Sequence, residues 1–187
     1  MVEKQKLFEF SRTILSDIET ILHYNSEGSF YLPEDTGGEM SYQFLGQDLT
    51  LEFDWEEVDY LNTSVVLGDF YNGEDTIKIA LKSVESVDRR IVSRIGEVLT
   101  HELVHWIQEM DGFDFPNSDD VQSFDYYLQP HEIEAQYYGF LFQSEFLGEP
   151  IEKVVEEWVD NYSEFHEFEE SQNLTKSLLS EFSRISI

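Results

Sequence analysis

The chain of 187 residues contains no cysteine and few cationic residues. Without thiols it can form neither disulfide bonds nor a cysteine-ligated zinc site. The 11 Lys and Arg residues stand against 40 Asp and Glu residues, so the formal net charge is −29. Because binding to phosphates needs clustered cations, we expect neither a nucleic acid nor an anionic membrane among its partners. A basic protein or peptide, or a metal ion, is favoured instead.

Long apolar runs are also absent from the sequence. No stretch reaches the ~20 apolar residues that a membrane-spanning helix needs. Charged residues interrupt the first ten positions, which lack the apolar region and the cleavage site of a signal peptide. We therefore expect a cytoplasmic protein, and the length predicts one domain over residues 1–187.

The spacing of apolar residues divides the chain into three parts. Helical spacing predicts an N-terminal helix over 5–24, and alternating spacing predicts four or five antiparallel strands over 29–81. Helical spacing returns from 88 to about 110. Further predicted helices make the C-terminal part, residues 130–187, helical: 130–146, 151–160 and 173–185. A helix, then antiparallel strands, then helices is an α+β arrangement.

A metal-binding pattern lies within the second helical stretch. His101 and His105 are four residues apart, so both imidazoles lie on one helix face and can share one ion. Glu102 lies about 100° further around the helix axis, too offset to be a ligand but able to reach a water on the metal. Because imidazole suits zinc, this His-Glu-x-x-His pattern predicts a catalytic Zn²⁺ site with Glu102 as the general base.

A catalytic zinc ion needs a third protein ligand as well as an open position for water. The candidates by residue type are all downstream: His131, Glu132, Glu134 and His166. Glu132 and Glu134 point about 200° apart around their helix, so only one of them can face the metal. The other would be a solvated acid or would hold a histidine N–H.

The segment Pro130-His131-Glu132-Ile133-Glu134-Ala135-Gln136 resembles the second motif of the gluzincins, a group of zincin metallopeptidases. In that group the ligand glutamate opens a helix, and a small residue follows three positions later. Ala135 follows Glu132 at that spacing, whereas a tyrosine follows Glu134, so the resemblance favours Glu132 with Glu134 as the alternative. The likeness covers about residues 77–146. It implies a zincin-like fold and a zinc-dependent metallopeptidase that uses Glu102 as its base.

Relatives in that group stabilise the oxyanion with a tyrosine or a histidine. This chain offers several such residues near or after the ligand helix: Tyr126, Tyr127, Tyr137, Tyr138 and His166. Tyr127 precedes the ligand helix and His166 is a lone histidine after it. We therefore predict these two as cleft-lining catalytic donors.

The acidic composition also supports a function of a different class. A compact chain with a net charge of −29 could imitate nucleic acid and occupy the cationic groove of a partner, as an inhibitor built on a zincin scaffold. A third reading is a degenerate zincin that binds a peptide or a metal without cleaving it. The presence of Glu102 argues against this third reading, because a site that only binds has no need of a general base.

Overall fold

The structure is a computed structural model that describes residues 3–25, 38–56, 65–71, 75–82, 88–115, 124–162 and 168–185. The helices in this part of the chain are α1 Lys4–Asn25, α2 Arg89–Met110, α3 Phe124–Tyr127, α4 Pro130–Leu147, α5 Ile151–Tyr162 and α6 Phe168–Ile185. The strands are β1 Glu39–Phe44, β2 Gln47–Glu56, β3 Val65–Tyr71 and β4 Thr76–Lys82. The described part is therefore mainly helical and carries one small sheet.

The sheet is mixed, with the strand order β1-β2-β4-β3. Two antiparallel pairs, β1 with β2 and β3 with β4, flank a parallel pair in which Leu51 of β2 lies opposite Ile77 of β4. The zincin-like α+β fold with an antiparallel sheet of four or five strands, expected from the sequence, is therefore wrong. Alternating apolar residues identify a strand but not its neighbour or direction. Placing β4 beside β2 unites Leu49, Leu51, Ile77 and Ile79, all at most 1% exposed, in the centre of the sheet.

Helix α2 lies at the centre of the described structure. The Asp88 carboxylate caps its first turn by accepting hydrogen bonds from the backbone N–H groups of Arg90 and Ile91, both at 2.9 Å. Nearly every side chain from Val92 to Gln108 is buried. A helix enclosed on almost all sides can hold polar side chains in a fixed environment, and the predicted metal motif lies on this helix.

Helices α2 and α4 pack closely where the motif lies. Ala135 is fully buried, and a Cβ atom added to Gly139 would lie 2.9 Å from the carbonyl oxygen of Glu97 and 3.4 Å from the Cβ of His101. Small residues on this face of α4 therefore bring its backbone against the turn of α2 that carries His101.

Two hydrophobic clusters support this helix pair. One joins α1, the sheet, α2 and part of α4, and the other joins α4, α5 and α6. None of the helices that the structure describes combines the length and the apolar character needed to cross a lipid bilayer.

Candidate metal centre

Three side chains from α2 and α4 converge on one point, and we call them the triad: His101, His105 and Glu132. The Nε2 atoms of the two histidines are 3.0 Å apart. The Glu132 oxygens lie 3.2 Å from Nε2 of His105 and 3.5 Å from Nε2 of His101. Three ligand atoms of a tetrahedral zinc site at ordinary Zn–N and Zn–O lengths are about 3.3–3.5 Å apart. The closest contacts in the triad, which involve both oxygens of Glu132, are therefore short enough for the three side chains to share one metal ion.

Glu102 lies beside the two histidines on α2. Its carboxylate and the two imidazoles offer ligand atoms that all lie within 4.8 Å of one another. The side chain is buried beneath β3, where a Cβ atom added to Gly68 would lie 2.6 Å from Oε1 of Glu102. The missing side chain at Gly68 lets β3 pass close over this carboxylate, which holds Glu102 next to the triad.

Gln108 connects His105 to the start of α4. Its Oε1 atom lies 2.9 Å from Nδ1 of His105. Its Nε2 atom donates to the carbonyl oxygen of His131 at 3.1 Å and to Oε2 of Glu134 at 3.0 Å. The two alternative glutamates thus occupy different places: Glu132 contacts the imidazoles, and Glu134 contacts the amide of Gln108. These distances favour Glu132 as the ligand.

Tyr126 of α3 contacts the triad. The Tyr126 hydroxyl donates a 2.6 Å hydrogen bond to Oε1 of Glu132. The ring of Tyr127 packs instead edge-on against Trp158, at 5.4 Å between centroids. His166 lies outside the described residues. Neighbouring positions of a helix point about 100° apart, so only one of two adjacent tyrosines faces Glu132, and no sequence signal distinguishes them.

Burial and mutual charge determine the protonation of the triad. Burial, together with the nearby charge of His105, lowers the pKa of His101 to about 3. Burial also opposes a charge on His105, but the hydrogen bond and negative charge of Glu132 outweigh it and raise the His105 pKa to about 9. Burial opposes ionisation of Glu132, but its contacts with both imidazoles lower its pKa to about 2. At neutral pH the chain by itself therefore holds one carboxylate and one protonated imidazole here.

Aromatic rings enclose one side of the centre. The chain turns back after α2, so that the rings of Phe113 and Phe115 lie 5.1 and 5.6 Å from that of His131, which is buried. Phe115 also lies 5.5 Å from the His105 ring and 6.2 Å from Phe70 of β3. These rings shield the imidazoles of His105 and His131 from water on that side, which strengthens electrostatic contacts at these two residues.

Sequence reasoning did not identify Gln108, Phe113 or Phe115 as parts of this centre. Gln108 could have been found, because it stands three residues after His105 and so shares its helix face. The two phenylalanines follow the end of α2, and no helical spacing predicts where such residues lie.

Comparison with known proteins gives no relative. No family model matches the chain, and neither a curated protein nor a solved structure matches it. The resemblance to gluzincins therefore stays a prediction from two short motifs.

Proposed function

We propose that this protein is a zinc-dependent hydrolase that cleaves peptide bonds. The observation that supports it best is the triad, in which the two Nε2 atoms are 3.0 Å apart. Oε1 of Glu132 lies 3.2 Å from Nε2 of His105, and Oε2 lies 3.5 Å from Nε2 of His101. Two imidazoles and one carboxylate form a donor set typical of catalytic zinc, because three protein ligands leave a fourth position for water. A zinc ion held there supplies a Lewis acid that polarises a carbonyl group and lowers the pKa of water towards neutrality.

Glu102 is the proposed general base. Its carboxylate accepts one proton from the attacking water, whose oxygen forms the new bond to the carbonyl carbon. The same carboxylate then delivers that proton to the amide nitrogen as the C–N bond breaks, so the products are an amine and a carboxylic acid. The buried position of Glu102 next to the triad suits this role, because the transferred proton stays out of bulk solvent.

Tyr126 and Gln108 have supporting roles in this proposal. The Tyr126 hydroxyl holds one oxygen of Glu132, and Gln108 holds the ring nitrogen of His105 that faces away from the triad. Such contacts orient ligands and limit their motion. Tyr127 and His166 remain the predicted oxyanion donors.

The substrate class rests on two further observations. The likeness of both sequence motifs to gluzincins favours a peptide bond over other bonds that water can attack. The net charge of −29 favours a basic polypeptide, because a negative field attracts cationic chains.

The test combines metal analysis with one substitution at the base. We expect about one zinc ion per chain, lost on substituting His101 or His105 by Ala. Glu102→Gln keeps the zinc and lowers the hydrolysis of an unfolded basic polypeptide by at least about 100-fold. Glu156→Gln, an equal charge change at an exposed position of α5, is the matched control. We expect it to leave the zinc content and the hydrolysis rate unchanged.

Two outcomes would contradict the proposal. Full hydrolysis by the zinc-loaded Glu102→Gln protein would remove Glu102 from the mechanism. A chain without zinc that binds basic partners equally well after the histidine substitutions would instead support the acidic mimic.

A further inference from the structure

We infer that Gln108 is a positioning residue that keeps the proton of the His105 ring on Nδ1, with Glu134 orienting the Gln108 amide. The inference rests on the proposed metal centre and assigns it two residues outside the triad. It follows from which atoms of these side chains can donate a hydrogen bond and which can only accept one.

The orientation of the Gln108 amide is set by two acceptors. The backbone carbonyl of His131 and the carboxylate of Glu134 lie 3.1 and 3.0 Å from one end of the amide. An ionised carboxylate and a carbonyl oxygen accept hydrogen bonds but cannot donate them. The NH₂ group must therefore occupy that end, because the opposite orientation would set three oxygens against one another.

The amide orientation in turn determines the tautomer of His105. With its NH₂ group directed at α4, Gln108 presents Oε1 to Nδ1 of His105 at 2.9 Å. An oxygen at this distance requires a proton on Nδ1, so the neutral ring carries its lone pair on Nε2. That Nε2 atom faces Nε2 of His101 and the Glu132 carboxylate.

The position of Gln108 suits this role. It stands one helical turn after His105 on α2 and is buried, so water does not compete for its amide. Glu134 belongs to α4, the helix that also carries Glu132. The contacts of Gln108 with Glu134 and the His131 carbonyl therefore connect α2, which supplies the two histidine ligands, to α4, which supplies Glu132.

The first experiment observes the His105 ring in the metal-free full-length chain, by nitrogen-15 NMR of the imidazoles at a single pH near neutrality. We expect Nδ1 to carry a hydrogen-bonded proton that exchanges slowly with water. In Gln108→Met, whose side chain has a similar shape but no amide, that proton should lose its hydrogen bond and exchange faster. A wild-type ring without a hydrogen-bonded proton on Nδ1 would overturn the inference.

The second experiment measures zinc affinity by competition with a chromophoric chelator. Loss of a contact outside the ligand shell typically costs about 10- to 100-fold in metal affinity, and we expect that loss for Gln108→Met. The matched control is Gln143→Met, which removes a half-buried hydrogen bond of 3.2 Å between α4 and Ser93 of α2, far along the helices from the triad. The control should leave the affinity unchanged.

The two experiments separate this inference from the proposed hydrolysis. The tautomer is observed without zinc or substrate, and the affinity is observed without catalysis. A zinc-binding chain that hydrolyses nothing would contradict the proposed function and leave the inference standing. Equal zinc affinity of Gln108→Met and the wild-type chain would overturn the positioning role even if the wild-type chain is an active hydrolase.

Discussion

At the residue scale, the glutamates of α4 differ in what each carboxylate touches. Glu132 contacts Nε2 of both histidines, whereas Glu134 contacts Gln108. We predict that Glu132→Gln weakens zinc binding by more than about 100-fold, because a lost ligand costs more than a lost partner outside the ligand shell. Glu134→Gln should have little effect, since its amide oxygen can still accept from Gln108.

These two substitutions form a matched pair, because each removes one negative charge from the first two turns of α4. Zinc titrations of both variants with the same chelator compare them directly. A larger loss for Glu134→Gln than for Glu132→Gln would reverse the ligand assignment.

The raised pKa of His105 predicts how zinc affinity depends on pH. The metal-free ring has a pKa of about 9, so below that pH an ion must displace a proton to bind Nε2. Zinc affinity should therefore rise about tenfold for each pH unit from pH 7 to pH 9 and level off above it. Competition titrations across that range measure the slope, and a flat profile between pH 7 and pH 9 would contradict the prediction.

Glu132→Gln provides the control for this pH dependence. The neutral side chain no longer raises the pKa of His105, so that pKa falls below its value in the wild-type chain. The affinity of this variant is lower overall but should level off at a lower pH. The pH of the plateau, rather than the affinity itself, is the informative quantity.

At the scale of helices and strands, the close approach of β3 to α2 holds the proposed base in place. A Cβ atom at Gly68 would lie 2.5 Å from Cγ1 of Val98 and 2.6 Å from Oε1 of Glu102. We predict that Gly68→Ala displaces the Glu102 side chain and lowers hydrolysis while the zinc content stays at its wild-type value. Elemental analysis measures the zinc content, and a peptidase assay on the same sample measures the loss of hydrolysis.

Gly139→Ala is the comparison variant, because its added methyl group meets backbone rather than a movable side chain. The new Cβ would lie 2.9 Å from the carbonyl oxygen of Glu97, so α4 has to shift away from α2 and carry Glu132 with it. This variant should lose zinc affinity as well as hydrolysis. If both glycine variants behave alike, the structure does not separate the base from the ligands as proposed.

The sequence predicts which residues share a face within one helix or strand. It does not predict how two helices or strands pack against each other. Helical spacing alone places His101 and His105 on one face of α2, because four residues make about one turn. The direction of β4 relative to β2 depends on which strands share a buried face, and alternation does not encode that. The separation of Tyr126 from Tyr127 likewise depends on where α3 lies against α4 and α5.

At the scale of the whole molecule, the negative charge is not neutralised by ion pairing. Some basic side chains form ion pairs with acidic ones. Arg90 contacts both Glu149 and Glu157, and Lys4 and Arg12 both contact Glu145. These pairs are largely exposed, where each contributes little to stability. Pairing does not change the total, so the net charge of −29 acts at a distance on any charged partner.

This field predicts a salt dependence for a basic substrate. Ions shorten the reach of the field from about 30 Å at 0.01 M to about 8 Å at physiological ionic strength. We therefore expect KM for a lysine-rich polypeptide to rise with added salt while kcat stays nearly constant, since the field attracts the substrate but does not act in the bond-breaking step. The same polypeptide with its lysines acetylated is the control, and its KM should be high and insensitive to salt.

The Glu102→Gln variant extends this test from cleavage to binding. Because the substitution changes the net charge only from −29 to −28, the variant should bind the lysine-rich polypeptide with nearly the same salt dependence as the active protein. Equilibrium binding at several salt concentrations measures this without turnover. A KM that does not respond to salt, with binding equally insensitive, would remove the basic polypeptide as the substrate class. It would leave the proposed zinc chemistry untouched, because His105, Glu132 and Glu102 are buried and screened far less than the surface.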